Sequence, residues 1–111
     1  MDTIDEWLEE LCSTRKLILV EGKKDREALS DLGVKNIRTV SQKPLFKTVE
    51  EASQSSSEVV ILTDLDKEGR KYYAYLRHHL QRNGIRIDKK FREFLFKNTK
   101  RTQIESMKKL I

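Results

Sequence analysis

The apolar positions of this chain alternate between short continuous runs and stripes with helical spacing. The segments 16–20 and 58–63 each contain four successive aliphatic residues. Such runs are typical of strands that are buried on both faces of a sheet. Before the first run, Ile4, Trp7 and Leu11 fall at i, i+3 and i+7, which is one face of an amphipathic helix. The pattern therefore predicts a protein built from both strands and helices.

Residues typical of helix caps and turns indicate where the helices begin and end, and so give the order of helices and strands. Thr3 followed by Glu6 is a capping-box pattern, and Gly33 is a suitable helix C-cap. Strands alternating with helices imply an α/β fold with about four mainly parallel strands and helices on both faces. Helices are expected at 3–12, from 23 to Gly33, around Phe46 to Ala52, at 68–82 and within 88–111, and strands at 16–20, 34–40, 58–63 and 85–87.

Most large aromatic side chains are expected in the core. Trp7 lies on the apolar face of the first helix, and Tyr73 has the inward spacing of the helix at 68–82. Phe91 and Phe94 share a helical face near the C-terminus. Phe96 falls off that face among basic residues, which makes it the candidate for stacking on a nucleic-acid base.

Length, cysteine content and hydropathy restrict the class of protein. The chain has 111 residues, which suits one domain of ~100–150 residues. A single cysteine excludes an internal disulfide framework. No stretch approaches the ~20 apolar residues of a membrane span, so no membrane association is expected. The expected location is the cytoplasm, and the amphipathic first helix makes the domain a candidate homodimer.

The net charge of +5 is distributed unevenly. Residues 1–66 carry 9 Lys/Arg and 14 Asp/Glu, whereas residues 67–111 carry 14 Lys/Arg and 4 Asp/Glu. A strongly basic half suits a polyanion, because Lys and Arg release condensed counterions when they bind phosphates. A solvated basic face without a partner is the alternative explanation.

Two predicted strands end in acidic residues. Val20 leads into Glu21, and Thr63 leads into Asp64, with Asp66 two residues on. The carboxyl ends of parallel strands lie at one edge of a sheet, so these carboxylates are expected to converge. Mutual repulsion would keep them partly protonated unless a cation lay among them, and a hard oxygen-binding ion such as Mg²⁺ fits. Asp64 and Asp66 acting only as helix caps is the alternative.

Glycines and basic residues accompany the acids. Gly22 can take a positive φ and let a phosphate approach the backbone, and Gly69 opens a helix that packs closely on the sheet. Lys23 can neutralise a phosphate, and Lys67 and Arg70 could hold the phosphate backbone, although exposed charges need no function.

The position of Asp25 has two interpretations, and the sequence does not favour either one. It falls in the first turn of a predicted helix, where the helix dipole favours an acid. The other reading is a supporting role beside the metal.

These segments resemble the motifs of a known family. Residues 19–29 (LVEGKKDREAL) look like the glutamate motif of Toprim domains, and residues 62–69 (LTDLDKEG) look like their Asp-x-Asp motif. The resemblance covers residues 16–88 and is nearest to small stand-alone Toprim proteins and the nuclease that matures 5S rRNA; primase-type Toprim domains share the core. It implies a Toprim (Rossmann-like) fold in a single domain at 1–111, with a core at about 16–88, an N-terminal helix at 3–12 and C-terminal helices at 88–111.

The resemblance also implies roles at matching positions. Glu21 would be the general acid/base and help to bind metal, while Asp64 and Asp66 would coordinate Mg²⁺, for which Mn²⁺ can substitute. Gly22 and Gly69 would shape the two loops. The favoured function is Mg²⁺-dependent phosphodiester chemistry on nucleic acid, as a nuclease acting on structured RNA rather than DNA. A nucleic-acid-binding or protein-interaction module without turnover, and primase-like nucleotidyl transfer, are the alternatives.

Overall fold

The computed structural model describes residues 1–98 and residue 104. In this part of the chain the strands are all parallel and lie in the order β2-β1-β3-β4. The helices are α1 (Ile4–Ser13), α2 (Lys23–Asp31), α3 (Leu45–Ser55), α4 (Lys67–Arg82) and α5 (Lys90–Asn98), and the strands are β1 (Leu17–Val20), β2 (Ile37–Thr39), β3 (Glu58–Ile61) and β4 (Arg86–Asp88). The predicted α/β fold with a parallel sheet is confirmed.

Alternate residues of the two central strands enter two hydrophobic clusters. Ile18 and Val60 pack with α1, α2 and α5, whereas Leu19 and Ile61 pack with α3 and α4. All four are at most 1% exposed. The continuous apolar runs therefore arise because side chains on both faces of these strands are covered by helices. None of the helices within the described residues combines the length and apolarity needed to cross a bilayer.

Helix α1 is joined to α5 through a buried contact. Thr3 caps α1, and its Oγ1 accepts the Glu6 N–H at 3.1 Å, as the capping-box pattern predicted. Trp7 is fully buried, and its Nε1–H donates to the Phe91 carbonyl oxygen at 2.9 Å. The core position predicted for Trp7 is confirmed. The hydrogen bond satisfies a polar group that would otherwise be costly inside the core.

The second strand is shorter than predicted because Val34 takes part in the cap that ends helix α2. Gly33 has φ +96, the left-handed conformation of a helix C-cap. The next residue, Val34, donates its N–H back to the Leu29 carbonyl oxygen at 3.0 Å. Val34 therefore belongs to the end of the helix, and the strand expected at 34–40 narrows to Ile37–Thr39.

Two aromatic side chains lie outside the core. Phe46, at the start of the segment that predicted α3, is 58% exposed. Tyr73, expected in the core, is only partly buried at the edge of a cluster, where Arg77 and Arg92 lie over its ring. The buried face of α3 is formed by Thr48, Val49 and Ala52, with Leu45 packed against the same cluster, so Phe46 lies off that face.

The last predicted helix, which would begin at Thr102, lies outside the described residues except for Ile104. The Thr102–Glu105 capping-box pattern predicts this helix with Ile104 on its inner face, and Ile104 is 2% exposed in the cluster formed by α1, α2 and α5.

Candidate metal centre

Two adjacent parallel strands bring distant acidic residues to one edge of the sheet. Strand β1 pairs with β3 in a register that aligns Leu19 with Ile61. The Leu62 N–H then donates to the Leu19 carbonyl oxygen at 2.7 Å, which continues the pairing past the last strand residue. Glu21 follows β1 directly, and Asp64 follows β3 after two buried residues. The register thus places both acids beyond the carboxyl ends of neighbouring strands.

The three acids predicted from the sequence form a close group. One carboxylate oxygen from each of Glu21, Asp64 and Asp66 lies within 4.8 Å of the others. The Asp64 N–H donates to Glu21 Oε1 at 2.9 Å, so the two strand ends are also linked directly. Oxygen-only donors at this spacing suit a hard divalent cation such as Mg²⁺. The structure brings these side chains together, and their roles remain predictions.

Burial and charge act together on Glu21. Desolvation is the main cause that raises its pKa from 4.5 to about 7, and the negative charges of Asp64, Asp66 and Asp25 raise it further. The hydrogen bond from the Asp64 backbone acts in the opposite direction. The carboxylate cluster is therefore electrostatically unfavourable on its own. A cation among these oxygens would offset that cost, which is the physical reason that the donor set fits a metal.

Gly69 allows helix α4 to start against the acidic loop. A Cβ at this position would overlap the Asp64 carbonyl oxygen and lie 2.7 Å from Glu21 Oε1. Glycine in the first turn of a helix costs ~1 kcal/mol relative to alanine, so its presence needs such a reason. Thr63 Oγ1 donates to the Gly69 carbonyl oxygen at 2.7 Å, and Asp66 Oδ1 accepts the Gly69 N–H at 2.9 Å. Asp66 is thus a helix N-cap as well as a member of the acidic group.

The first loop differs from the prediction made for its glycine. Gly22 has φ −138 and ψ −176, an extended conformation that any residue can adopt, so the expected positive φ is wrong. A Cβ there would come no closer than 3.7 Å to Ser41 Oγ. Asp25 Oδ2 accepts the Gly22 N–H at 3.0 Å, which is the half of a capping box that the N3 side chain supplies at the start of α2. Asp25 therefore has the helix-start position that was one of its two readings, and it lies outside the group of three acids.

Arg92 is a residue of the site that the sequence did not reveal. Its Nη2 donates to the Asp64 carbonyl oxygen at 2.9 Å and its Nε to the Thr63 carbonyl oxygen at 3.4 Å. The guanidinium lies 4.2 Å from the centre of the Tyr73 ring, and desolvation lowers its pKa. Arg92 holds the main chain on which the Asp-x-Asp pair is carried. The only sequence feature that could have indicated this role is the position of Arg92 directly after Phe91, a core residue.

Asp64 is also fixed from the C-terminal side. The Ile104 N–H donates to Asp64 Oδ1 at 2.8 Å in a buried contact, and Asp64 is only 9% exposed. One carboxylate oxygen is therefore oriented by the backbone of a residue 40 positions later in the chain. Such preorganisation reduces the entropy lost when a ligand is bound.

The basic residues divide between two depressions around the acids. A cleft of about 320 Å³ is lined by Glu21, Asp64, Gly22, Lys23, Lys24, Asp25, Ser41, Glu68 and Tyr72. A neighbouring groove of about 570 Å³ is lined by Asp66, Leu65, Lys67, Arg70, Lys71 and Ala74. Lys23 therefore shares a cleft with Glu21, whereas Lys67 and Arg70 lie in the second groove.

The fold and the acidic group define an α/β protein with a candidate divalent-metal centre where two parallel strands end. Residues 16–107 match the Toprim domain, and the chain belongs to the Toprim domain family. Toprim domains generally bind Mg²⁺ and act on nucleic acids. The match extends beyond the 16–88 segment that carried the resemblance, so it includes α5 with Arg92.

Relatives of this chain occur in archaea. The UPF0292 protein of Methanocaldococcus jannaschii is 33% identical over 96 residues, which are 83% of this chain and 75% of that protein. A UPF0292 protein of Thermococcus onnurineus is 36% identical over 92 residues, covering 82% of this chain and 68% of that protein. The solved structure of a protein from Aquifex aeolicus is similar with a TM-score of 0.88 and 33% identity, over 96% of this chain and 99% of that one.

Proposed function

We propose that this chain is a Mg²⁺-dependent enzyme of nucleic-acid phosphodiester chemistry, and specifically a nuclease that acts on structured RNA. The observation that carries the proposal is the convergence of three carboxylate oxygens within 4.8 Å at the ends of two adjacent strands. RNA is favoured over DNA because the two acidic motifs resemble most closely those of an rRNA maturation nuclease. The proposed place of action is the cytoplasm.

The three acids have different roles in the proposed reaction. Asp64 and Asp66 would hold Mg²⁺, with Mn²⁺ as a substitute, and Glu21 would complete the site. When bound, the ion supplies positive charge to the phosphate oxygens and to the attacking or leaving oxygen. Glu21 transfers the proton, as a carboxyl group held beside the two metal-binding acids by the Asp64 N–H, which donates to its Oε1 at 2.9 Å.

Neighbouring groups would position the substrate backbone. Lys23 and Gly22 border the same cleft as Glu21, and Lys67 and Arg70 border the groove that Asp66 shares. The positive balance of residues 67–111 provides attraction for a polyanion approaching this edge. Arg92 acts on the reaction only through the main chain of the Asp-x-Asp loop, so it is a positioning residue.

Cleavage assays with matched variants test the proposal. The wild-type protein is incubated with structured RNA, unstructured RNA and DNA, in Mg²⁺ and in EDTA. Glu21→Gln and Asp64→Asn are expected to abolish Mg²⁺-dependent cleavage while the fold is retained by circular dichroism. Glu27→Gln, which removes an exposed acid of the same first motif, serves as the matched control and keeps full activity.

The result can also select a different function. Cleavage that survives Glu21→Gln, or that continues in EDTA, removes Glu21 and the metal from the mechanism. Tight binding of nucleic acid without any product, insensitive to Mg²⁺, selects a binding module instead. Incorporation of nucleotides rather than cleavage selects a primase-like nucleotidyl transfer.

A further inference from the structure

The groove lined by Asp66, Lys67, Arg70 and Lys71 is mainly positively charged, as expected of a surface that binds nucleic acid. It has a volume of about 570 Å³, and Lys67, Arg70 and Lys71 contribute three cations to its lining. The acid in this lining, Asp66, also belongs to the group of three carboxylates. The groove is therefore continuous with the candidate metal centre, and a ligand lying in it would reach that centre at Asp66.

An exposed aromatic ring lies next to Arg70, one of the residues that line this groove. Phe96 is 59% exposed, whereas its helix neighbours Phe94 and Leu95 are buried. The Arg70 guanidinium carbon lies 5.9 Å from the centre of the Phe96 ring. An exposed phenylalanine is unremarkable by itself, and Phe46 shows the same exposure at 58%. Phe96 differs from Phe46 in lying near Arg70, which lines the groove that Asp66 shares.

We propose that this groove binds an unpaired nucleotide of single-stranded nucleic acid, with its base stacked on Phe96. The inference rests on the proposed function only in taking nucleic acid as the ligand. Lys67 and Lys71 contact the flanking phosphates, and Arg70 lies between the phosphates and the stacked base. Aromatic rings combined with a positively charged groove are the recurrent means of binding single strands without sequence preference.

A single-stranded region fits better than a regular duplex. Bases inside a duplex are already stacked on each other, so one must be extruded at a cost of a few kcal/mol before it can reach Phe96. Loops, bulges and ends of folded RNA present unstacked bases without that cost. The groove thus selects unpaired positions within a structured substrate and delivers the adjoining phosphate towards Asp66.

The test is a binding measurement that does not depend on catalysis. Fluorescence anisotropy of a short labelled oligouridine is measured in EDTA at low salt, so that no cleavage takes place. Phe96→Ala is expected to weaken binding about 5- to 100-fold, the loss typical of one stacked base. Phe46→Ala is the matched control and leaves binding unchanged, while Phe96→Trp retains or strengthens it. Lys71→Gln reduces the slope of log K against log salt by about 0.7.

Several results would overturn the inference. These are the absence of single-strand binding, equal binding by Phe96→Ala and wild type, an equal loss in Phe46→Ala, and a duplex of the same length that binds as tightly as the single strand. Thermal denaturation shows whether each variant remains folded. Because the assay is free of Mg²⁺, a protein without nuclease activity can still support the stacking site. Conversely, Mg²⁺-dependent cleavage with unaltered binding by Phe96→Ala would retain the proposed function and reject this site.

Discussion

Replacing each loop glycine by alanine should have consequences of different size, although both were assigned to shape the loops. At Gly69 a Cβ would overlap the Asp64 carbonyl oxygen and crowd Glu21 Oε1. At Gly22 a Cβ would make only ordinary contacts, the nearest at 3.7 Å. The comparison therefore separates a glycine required by close packing from one that is merely accommodated.

Two opposing contributions set the change in unfolding free energy that is expected for Gly69→Ala. Alanine stabilises a helix interior by ~1 kcal/mol relative to glycine, which favours Gly69→Ala. Overpacking costs about 1–3 kcal/mol, and the upper end applies because the obstructing atom is a main-chain oxygen held by Arg92. The expected net loss is about 2 kcal/mol, or about 10 °C in Tm for a domain of this size. Gly22→Ala removes a tolerated N-cap residue and should cost less than about 1 kcal/mol.

Thermal denaturation in EDTA and in Mg²⁺ measures both the stability and the site. Wild type and Gly22→Ala are expected to gain stability from Mg²⁺, as any ligand of the folded state provides. Gly69→Ala should lose most of that gain, because relief of the overlap displaces Asp64 from Glu21. Ala74→Gly, at an exposed position of the same helix, calibrates the propensity contribution. A Tm for Gly69→Ala at or above the wild-type value, or equal losses at the two glycines, would refute the packing argument.

Three further substitutions test other contacts. The pKa of Glu21 is raised to about 7 in the folded state, so the stability this group contributes is complete below pH 4.5 and is lost as the pH rises through 7. Glu21→Gln should therefore raise the Tm of the metal-free protein at pH 8 but not at pH 4; parallel Tm profiles would contradict the shift. Arg92→Ala should cost about 2 kcal/mol in urea unfolding and weaken Mg²⁺ binding by calorimetry, with Arg92→Lys restoring only part, since two main-chain carbonyls lose charged donors; full restoration by lysine would count against it. Trp7→Phe should cost about 1–2 kcal/mol by the same measurement because the Phe91 carbonyl oxygen loses its buried donor, and an unchanged midpoint would show that the bond contributes little.

The parallel sheet was predictable because its signal is local and repeated. The apolar runs around Ile18 and Val60 required helices on both faces, and the alternation of elements then required parallel strands. Once the strands were parallel, the meeting of Glu21 and Asp64 followed from the shared edge. The fold and the approach of these acids could thus be reached from residue pattern alone.

The other features of the site depend on tertiary contacts, which the periodicity of apolar residues does not predict. Arg92 and Ile104 reach Asp64 from segments far along the chain, and neither belongs to a motif with a fixed spacing. Helical spacing alone did not give the exposure of Tyr73, at the edge of its cluster, or of Phe46, off the buried face of α3. The two glycines looked alike in sequence, and only the position of the Asp64 carbonyl oxygen distinguishes them.

The bonds that orient Asp64 have a consequence for the order in which the protein matures. Its amide bonds to Glu21, 43 positions earlier, and its carboxylate bonds to Ile104, 40 positions later. Contacts of such high sequence separation form slowly, because loop closure precedes any compensating interaction. On a ribosome, the acidic loop is synthesised well before the segment that fixes it. Nascent chains therefore carry the acids without their final geometry until the segment around residue 104 can fold back onto Asp64.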